Sequence, residues 1–292
     1  MFKISDKFHK IRGNYYNKRF MADAVEYALD YAPRSRDRIM VYYAKSDPRQ
    51  WIESIASQLV TTGRRLEAYN EPVLGNYLLE HHGEALFKQH ANLALPALSD
   101  VTFMRSHLPF KLFPYRPEPR YLFVLRNPKD VCVSLYYSFN TIYDMEIDFD
   151  TYFKFWVSGT SELPFGDYFE SVLDYWSHRG DSNCTLIIYE HMLTDPTRVV
   201  RQIASFLGPK YVARLTDREA DNGEQLLERM VRESSFTPIK GSLNKWDSHF
   251  NETPGDWRLR LNRLQSDAID ARAARVWSGT GLLELWPREM QW

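Results

Sequence analysis

Four short apolar runs stand out along the chain, at residues 38–43, 101–105, 121–125 and 185–190. Each run is rich in β-branched or aromatic side chains and lacks polar alternation, which is typical of strands buried on both faces of a parallel sheet. The segments between them carry apolar residues at helical spacing. The alternation of the two patterns predicts an α/β fold with a central parallel sheet flanked by helices.

The predicted helices cover residues 21–31, 51–60, 150–157, 167–178, 196–207 and 226–231. No internal repeat, low-complexity tract or linker separates these elements. We therefore expect a single domain over residues 1–292, with an N-terminal flank at 1–37 and a helical C-terminal tail at 251–292.

The clearest transition from strand to helix follows Leu125. Arg126 ends the apolar run, Asn127 is a good N-cap, Pro128 fits the first helical position, and Asp130 suits the first turn. Ligands bind at the carboxyl ends of strands in open α/β sheets, and helix N-termini attract anions. Arg126 is therefore a candidate ligand for an anion such as a phosphate, and the alternative is a structural turn in which it pairs with a surface carboxylate.

Composition excludes several classes of function. The formal net charge of −1 argues against a general nucleic-acid binder, which is normally strongly basic. Two cysteines, Cys132 and Cys184, are too few for a disulfide framework and indicate a reducing compartment. The first residues show no apolar leader, and no stretch approaches the ~18 apolar residues of a membrane span. We expect a soluble, cytoplasmic protein with no membrane or nucleic-acid partner.

Three loop positions offer further candidate chemistry. Lys45 lies between a strand and a helix, as in a phosphate-binding loop, but the Gly-x-x-x-x-Gly-Lys-Ser/Thr pattern is missing, and a surface lysine is the alternative. His107 follows a strand and is either a base that takes a proton from a hydroxyl or a loop histidine bonded to backbone. Lys240 and Gly241 either bind a phosphate or form an ordinary turn.

A metal site is not predicted. His81, His82 and His90 have no Cys or carboxylate partner at the spacing of metal ligands.

Together these stretches resemble the cytosolic sulfotransferase family, over residues 38–250. The segment Tyr121-Leu-Phe-Val-Leu-Arg-Asn-Pro-Lys-Asp-Val-Cys-Val-Ser134 is similar to the family's segment for the 3′-phosphate of the donor PAPS (3′-phosphoadenosine 5′-phosphosulfate). The other matches are Arg105-Ser-His-Leu-Pro109 to Lys-Thr-His-Leu-Pro, Tyr189-Glu190 with Asp195-Pro196, and Ile239-Lys-Gly241 with Trp246 and Phe250. The resemblance implies a P-loop-kinase-like sulfotransferase architecture.

The resemblance also implies a reaction. The sulfuryl group of PAPS would pass to a hydroxyl or amine of a small, aromatic or otherwise apolar acceptor, and PAP would leave, without a metal. His107 would be the base, Lys45 would stabilise charge on the bridging oxygen and 5′-phosphate, and Arg105 would take the place of the family's lysine. The nucleotide would be bound by Lys45, Ser46, Arg49, Trp51, Arg126, Ser134, Tyr189, Phe236, Lys240 and Gly241.

Two segments depart from the family pattern. Where the family has Tyr-Pro-Lys-Ser-Gly-Thr-Thr-Trp, the loop from Tyr43 to Trp51 is one residue longer after the lysine, lacks the glycine and contains Asp47. The sequence after Trp246 does not match the family's dimer motif, so the usual dimer is not assumed. A protein that binds a nucleotide or small ligand without turnover is therefore the alternative function. A nucleotide kinase is disfavoured because Lys45 lacks the Walker glycines.

Overall fold

The computed structural model describes residues 7–46, 49–61, 77–84, 101–159, 164–218, 224–233 and 254–292. Three candidate ligands, Phe236, Lys240 and Gly241, lie outside these ranges, as do Asp47 and His90. For Arg49 the backbone is described and the side chain is not.

The first described elements form a β-hairpin, which was not predicted from the sequence. Strand β1 (Phe8–Ile11) pairs antiparallel with β2 (Asn14–Asn17), and helix α1 (Ala22–Asp30) follows. The two turn residues, Arg12 and Gly13, both have positive φ, as a type I′ turn requires. An Arg-Gly turn between four-residue strands gives little sequence signal, since Asn-Gly and Asp-Gly are the usual hairpin pairs.

Four parallel strands form the central sheet, as predicted. They are β3 (Asp37–Tyr42), β4 (Thr102–Ser106), β5 (Arg120–Leu125) and β6 (Cys184–Ile188), in the order β4-β3-β5-β6. The chain runs from β3 outward to β4 and then returns to the other side of β3 for β5. The strand order therefore reverses between β3 and β5, and the crevice at the carboxyl ends of such a strand pair is the usual ligand site of open α/β sheets.

Side chains of the central strands alternate between two hydrophobic clusters, one on each face. Along β5, Tyr121, Phe123 and Leu125 pack into the first cluster, whereas Leu122 and Val124 pack into the second. This alternation explains why the run reads as continuously apolar, because both faces of the sheet are covered.

Helices cover both faces. The first face carries α3 (Pro128–Thr141), α4 (Phe149–Ser158), α5 (Tyr168–Ser177) and α10 (Arg263–Trp277), and the second carries α2 (Arg49–Val60), α7 (Pro196–Leu207) and α9 (Leu226–Glu233). Two short helices, α6 (His191–Thr194) and α8 (Pro209–Arg214), flank α7. None of the described helices combines the length and apolar character that a membrane crossing requires.

Residues 254–292 pack into the core. This segment contains 3-10 turns at Asp256–Leu259 and Leu282–Glu284 on either side of α10. Its tryptophans Trp257, Trp277 and Trp286 are almost fully buried in the first cluster. The expected helix is present, and the structure adds that this segment covers the start of α3.

Candidate active site

The loops that leave the four parallel strands meet at one edge of the sheet. Lys45 and Ser46 follow β3, His107 follows β4, Arg126 follows β5, and Tyr189 follows β6. The candidate site residues that the structure describes thus come from four separate stretches of sequence. Parallel pairing brings them together because the carboxyl ends of all four strands lie on the same side.

Arg126 lies at the crevice between β3 and β5 and is only 1% exposed. Its Nη1 donates a hydrogen bond of 2.9 Å to the backbone carbonyl of Lys45, and its guanidinium carbon lies 4.2 Å from the ring centroid of Tyr189. Tyr168 donates its hydroxyl to the Arg126 carbonyl. The alternative of an arginine paired at the surface is excluded, because this guanidinium is buried against a loop and a ring.

The loop after β3 adopts a constrained backbone. Lys45 has a φ of 70°, in the left-handed region that residues with a Cβ rarely adopt. Strain of this kind is found most often at functional sites. The next residue, Ser46, donates its N–H to the Tyr43 carbonyl at 3.0 Å, while its buried hydroxyl has no hydrogen-bond partner among the described residues.

His107 is oriented through both its ring and its backbone. Nδ1 lies 3.2 Å from the Tyr42 carbonyl, which can only accept, so Nδ1 carries the proton. In a neutral ring the lone pair is then on Nε2, the arrangement that a general base requires. The His107 ring packs edge-on against Tyr42 and Phe165, with centroids 4.5 Å and 5.8 Å away.

Arg105 lies inside β4, two residues before His107, and is almost fully buried. Its Nη1 donates to the Tyr42 hydroxyl at 2.9 Å, and its Nε lies 3.3 Å from a carboxylate oxygen of Glu53 on α2. Arg105 and His107 therefore share Tyr42 as a neighbour, the first through the hydroxyl and the second through the carbonyl.

Glu80, which the sequence analysis did not identify, holds the turn that carries His107. One carboxylate oxygen accepts the His107 backbone N–H at 2.6 Å, and the other accepts the Ser106 hydroxyl at 3.1 Å. Burial raises the Glu80 pKa to about 7, against the lowering effect of these hydrogen bonds and of the Arg105 charge. Its sequence context, between two polar loops, gave no indication of this role.

Glu190 has the corresponding position on the other side of the crevice. It accepts the backbone N–H of Asn127 at 2.9 Å with one oxygen and the indole N–H of Trp286 at 2.7 Å with the other. Burial raises its pKa to about 7, while the neighbouring Arg126 charge acts in the opposite direction. From the sequence, Glu190 was apparent only as the neighbour of Tyr189.

Lys129 and Asp130 attach the C-terminal segment to the start of α3. The buried ammonium of Lys129 donates to Ser266, Asp270 and the Met290 carbonyl. Asp130 accepts the backbone N–H groups of residues 255 and 257 at 2.9 Å and 3.2 Å. Asp130 lies in the first turn of α3 as expected, and it also binds a segment that is distant in sequence.

Two further candidates are buried near this edge. Ser134 lies on α3, two turns after Arg126, and is almost fully buried. Trp51, on the first turn of α2, packs in the same hydrophobic cluster as Tyr189.

The described histidines outside this edge have other contacts. His81 packs against Phe20, and His82 Nδ1 accepts the Leu78 N–H at 2.9 Å. Across the described ranges, no three His, Cys, Asp or Glu side chains are grouped closely enough to hold a metal ion.

The sequence model of the sulfotransferase domain matches residues 36–281 of the chain. Luciferin sulfotransferase of Photinus pyralis is 36% identical over 150 residues, which cover 50% of this chain and 37% of that protein. Sulfotransferase 6B1 of Mus musculus is 26% identical over 271 residues, covering 87% of this chain and 81% of the relative.

A crystal structure of a mouse sulfotransferase complexed with PAP has the same fold, with a TM-score of 0.69 at 19% identity, covering 93% of this chain and 94% of the other. The predicted α/β class and parallel sheet are therefore confirmed. Because the domain match spans most of the chain, including all four strands of the central sheet, this protein belongs to the sulfotransferase family.

Proposed function

We propose that this protein is a PAPS-dependent sulfotransferase that acts on a hydroxyl or amine of a small, aromatic or otherwise apolar acceptor. The observation that carries the proposal is the placement of Arg126. A buried guanidinium lies at the β3/β5 crevice, bonded to the loop of Lys45 and stacked on Tyr189. Buried cations at such crevices suit a phosphate ligand, because a planar guanidinium can donate two parallel hydrogen bonds to it.

The residues present fit a nucleotide that carries two phosphate positions. Arg126 and Ser134 would bind the 3′-phosphate, together with Lys240 and Gly241 of the undescribed segment. Lys45 and the Ser46 hydroxyl, which is buried without a partner among the described residues, would bind the 5′-phosphate side. The rings of Trp51, Tyr189 and Phe236 would surround the adenine. PAP in the mouse structure of the same fold supports this choice of nucleotide.

In the proposed reaction, a new bond forms from sulfur to the acceptor oxygen, or to the nitrogen of an amine acceptor, and the bond from sulfur to the bridging oxygen of the 5′-phosphate breaks. His107 Nε2 takes the acceptor proton, and the backbone and ring contacts of His107 fix that nitrogen in place. Lys45 stabilises the negative charge that grows on the bridging oxygen. Arg105, held by Tyr42 and Glu53, contributes positive charge behind the histidine.

An apolar acceptor is supported by the rings around His107. Phe165 contacts the histidine ring, Tyr143 contacts Phe165 at 6.3 Å, and Phe8 contacts Tyr143 at 6.2 Å. These aromatic contacts connect the proposed base to the N-terminal hairpin. Rings of this kind bind small aromatic or aliphatic molecules well. The relative from Photinus pyralis is likewise named for a small molecule, luciferin.

The test is transfer of sulfate from PAPS to a panel of phenols, alcohols and amines, followed by mass spectrometry of the products. We expect product with the wild type and a loss of about 10²- to 10⁴-fold in kcat with His107→Gln. His178→Gln is the matched control, because His178 pairs with Asp181 at the opposite edge of the sheet. PAP binding without any product from the wild type would instead support the binding protein without turnover.

A further inference from the structure

We infer that Glu80 and Glu190 form a matched pair of positioning residues, one for each half of the site. Glu80 holds the turn that presents His107 to the acceptor, and Glu190 holds the turn that presents Arg126 to the donor. The inference deepens the proposed function and rests on it for the assignment of the two halves. The two contacts themselves are independent of that assignment.

The two glutamates make equivalent contacts at the ends of β4 and β5, the two strands on either side of β3. Glu80 accepts the backbone N–H of the first residue after β4, His107, and Glu190 accepts that of the second residue after β5, Asn127. In each case the strand has just ended, so the N–H group has no sheet partner and would be buried without a hydrogen bond. The carboxylate supplies that bond and therefore fixes the direction in which the chain leaves the strand.

Each glutamate also uses its second oxygen to bind a group from another part of the turn or the fold. For Glu80 this is the Ser106 hydroxyl, which in turn accepts the Leu108 N–H at 3.1 Å. For Glu190 it is the Trp286 indole in the C-terminal segment. Both carboxylates are 1% and 4% exposed, and both oxygens of each one are bonded to protein groups. They act through the backbone.

A carboxyl group suits this position because each of its two oxygens can accept a hydrogen bond, one from the backbone N–H of the turn and one from a second group. A glutamine has only one accepting oxygen and cannot keep both bonds. A loose turn would displace a side chain at the site by about 1 Å, which is enough to lower a rate about 10²-fold. A buried carboxyl group after each strand therefore keeps two side chains in position: His107, the proposed base, and Arg126, which is proposed to bind the phosphate.

The inference predicts that the two glutamates affect different steps. Glu80→Gln should lower kcat about tenfold or more and leave the PAP dissociation constant within about twofold, because it loosens only the His107 turn. Glu190→Gln should raise the PAP dissociation constant about tenfold or more and leave kcat at saturating PAPS within about twofold. Glutamine keeps the shape of the side chain, so both variants are expected to fold.

Asp37→Asn is the matched control. Asp37 is also a fully buried carboxylate that accepts a backbone N–H, from Arg34 at 2.7 Å, and it lies at the opposite edge of the sheet. A general loss of stability would affect all three variants in the same way, whereas a positioning role separates them. If Glu80→Gln and Glu190→Gln change affinity and kcat together, or behave like Asp37→Asn, the inference is overturned.

Amide hydrogen exchange provides a readout that does not need a nucleotide. Glu80→Gln should accelerate exchange in the peptide that covers residues 105–109 and not in residues 126–131, and Glu190→Gln should do the reverse. If a variant does not change exchange in the turn that its glutamate binds, that glutamate has no positioning role. If the wild type neither binds PAP nor transfers sulfate, the proposed function fails, and the exchange data still decide whether the two carboxylates hold these turns.

Two milder variants cover the case in which a glutamine variant does not fold. Ser106→Ala removes one of the two partners of Glu80, and Trp286→Phe removes the indole N–H that Glu190 accepts. We expect the first to lower kcat and the second to weaken PAP binding, each by a few-fold, with the other quantity unchanged. If either variant lowers kcat and weakens PAP binding by similar factors, the inference is contradicted.

Discussion

Arg126 Nη1 donates a hydrogen bond of 2.9 Å to the backbone carbonyl of Lys45. This bond joins the loop after β3 to the loop after β5, across the point where the order of the strands reverses. The lysine backbone at the other end of the bond has positive φ. The two loops that would bind the two phosphates of the nucleotide are therefore connected before any ligand is present.

Arg126→Lys should weaken PAP binding about 10- to 100-fold although the charge is retained. A lysine cannot donate in parallel to a phosphate while also bonding the loop carbonyl, because its ammonium is a single point of charge. Titration calorimetry with PAP measures the effect. Arg120→Lys is the control, since Arg120 begins the same strand at the opposite edge and donates to Ser205. Equal affinity of the Arg126 variant and the control would contradict the role of the guanidinium.

Ser46→Ala should lower PAP affinity about tenfold without destabilising the protein. The Ser46 hydroxyl is buried and has no hydrogen-bond partner among the described residues, so its removal loses no bond to them. Thermal unfolding should therefore give an equal or higher melting temperature. The control is Ser171→Ala, in which the lost hydroxyl does donate, to the Asp167 carbonyl at 2.8 Å. A destabilised Ser46→Ala with unchanged affinity would assign the hydroxyl a structural role.

Stability should fall as the pH rises from about 5 to about 7. Glu80 and Glu190 have folded pKa values raised from 4.5 to about 7, so in this window the folded protein holds protons that the unfolded chain has lost. Ionisation of each buried carboxylate then opposes folding by up to about 3 kcal/mol. Arg105 and Arg126 are the cations that face them, and both remain charged throughout.

Urea unfolding at several pH values measures this slope in the wild type and in Glu80→Gln. Because other groups also titrate, the quantity to compare is the difference in unfolding free energy between variant and wild type. As the pH rises from 5 to 7, the variant should become more stable relative to the wild type. A difference that stays constant over this window would show that the Glu80 pKa is not raised.

Lys129→Met should destabilise the protein by about 2 to 3 kcal/mol. This is less than breaking a fully buried ion pair would cost, because the partner Asp270 is partly exposed. The ammonium bonds three groups of the C-terminal segment, and its removal leaves the partly buried Met290 carbonyl without this donor. Limited proteolysis should then cleave residues 254–292 faster. Lys154→Met, on the exposed face of α4, is the control, and equal protease resistance of the two variants would contradict this role.

The strands of the sheet were predictable because buried parallel strands leave a strong local signal. The runs at β3 and β5 are apolar on both faces, and Asn127 and Pro128 mark the start of α3 as clearly as any residues in the chain. The N-terminal hairpin was not predicted, since four-residue strands joined by Arg12-Gly13 give neither periodicity nor a usual turn pair.

The site was predictable only in part. Arg126, His107 and Lys45 follow apolar runs, so their sequence context indicates the carboxyl edge of the sheet. Glu80 and Glu190 act through backbone N–H groups that lie 27 and 63 residues away in sequence, and no local pattern records such a contact. The roles of the site residues remain predictions that the variants above test.

The most direct measurement is calorimetric titration of the wild type with PAP and with AMP, which differ only in the 3′-phosphate. If Arg126 at the β3/β5 crevice binds that phosphate, PAP should bind at least about tenfold more tightly than AMP, and Arg126→Lys should reduce the difference. Equal affinity for the two nucleotides, or no binding of PAP, would contradict the account.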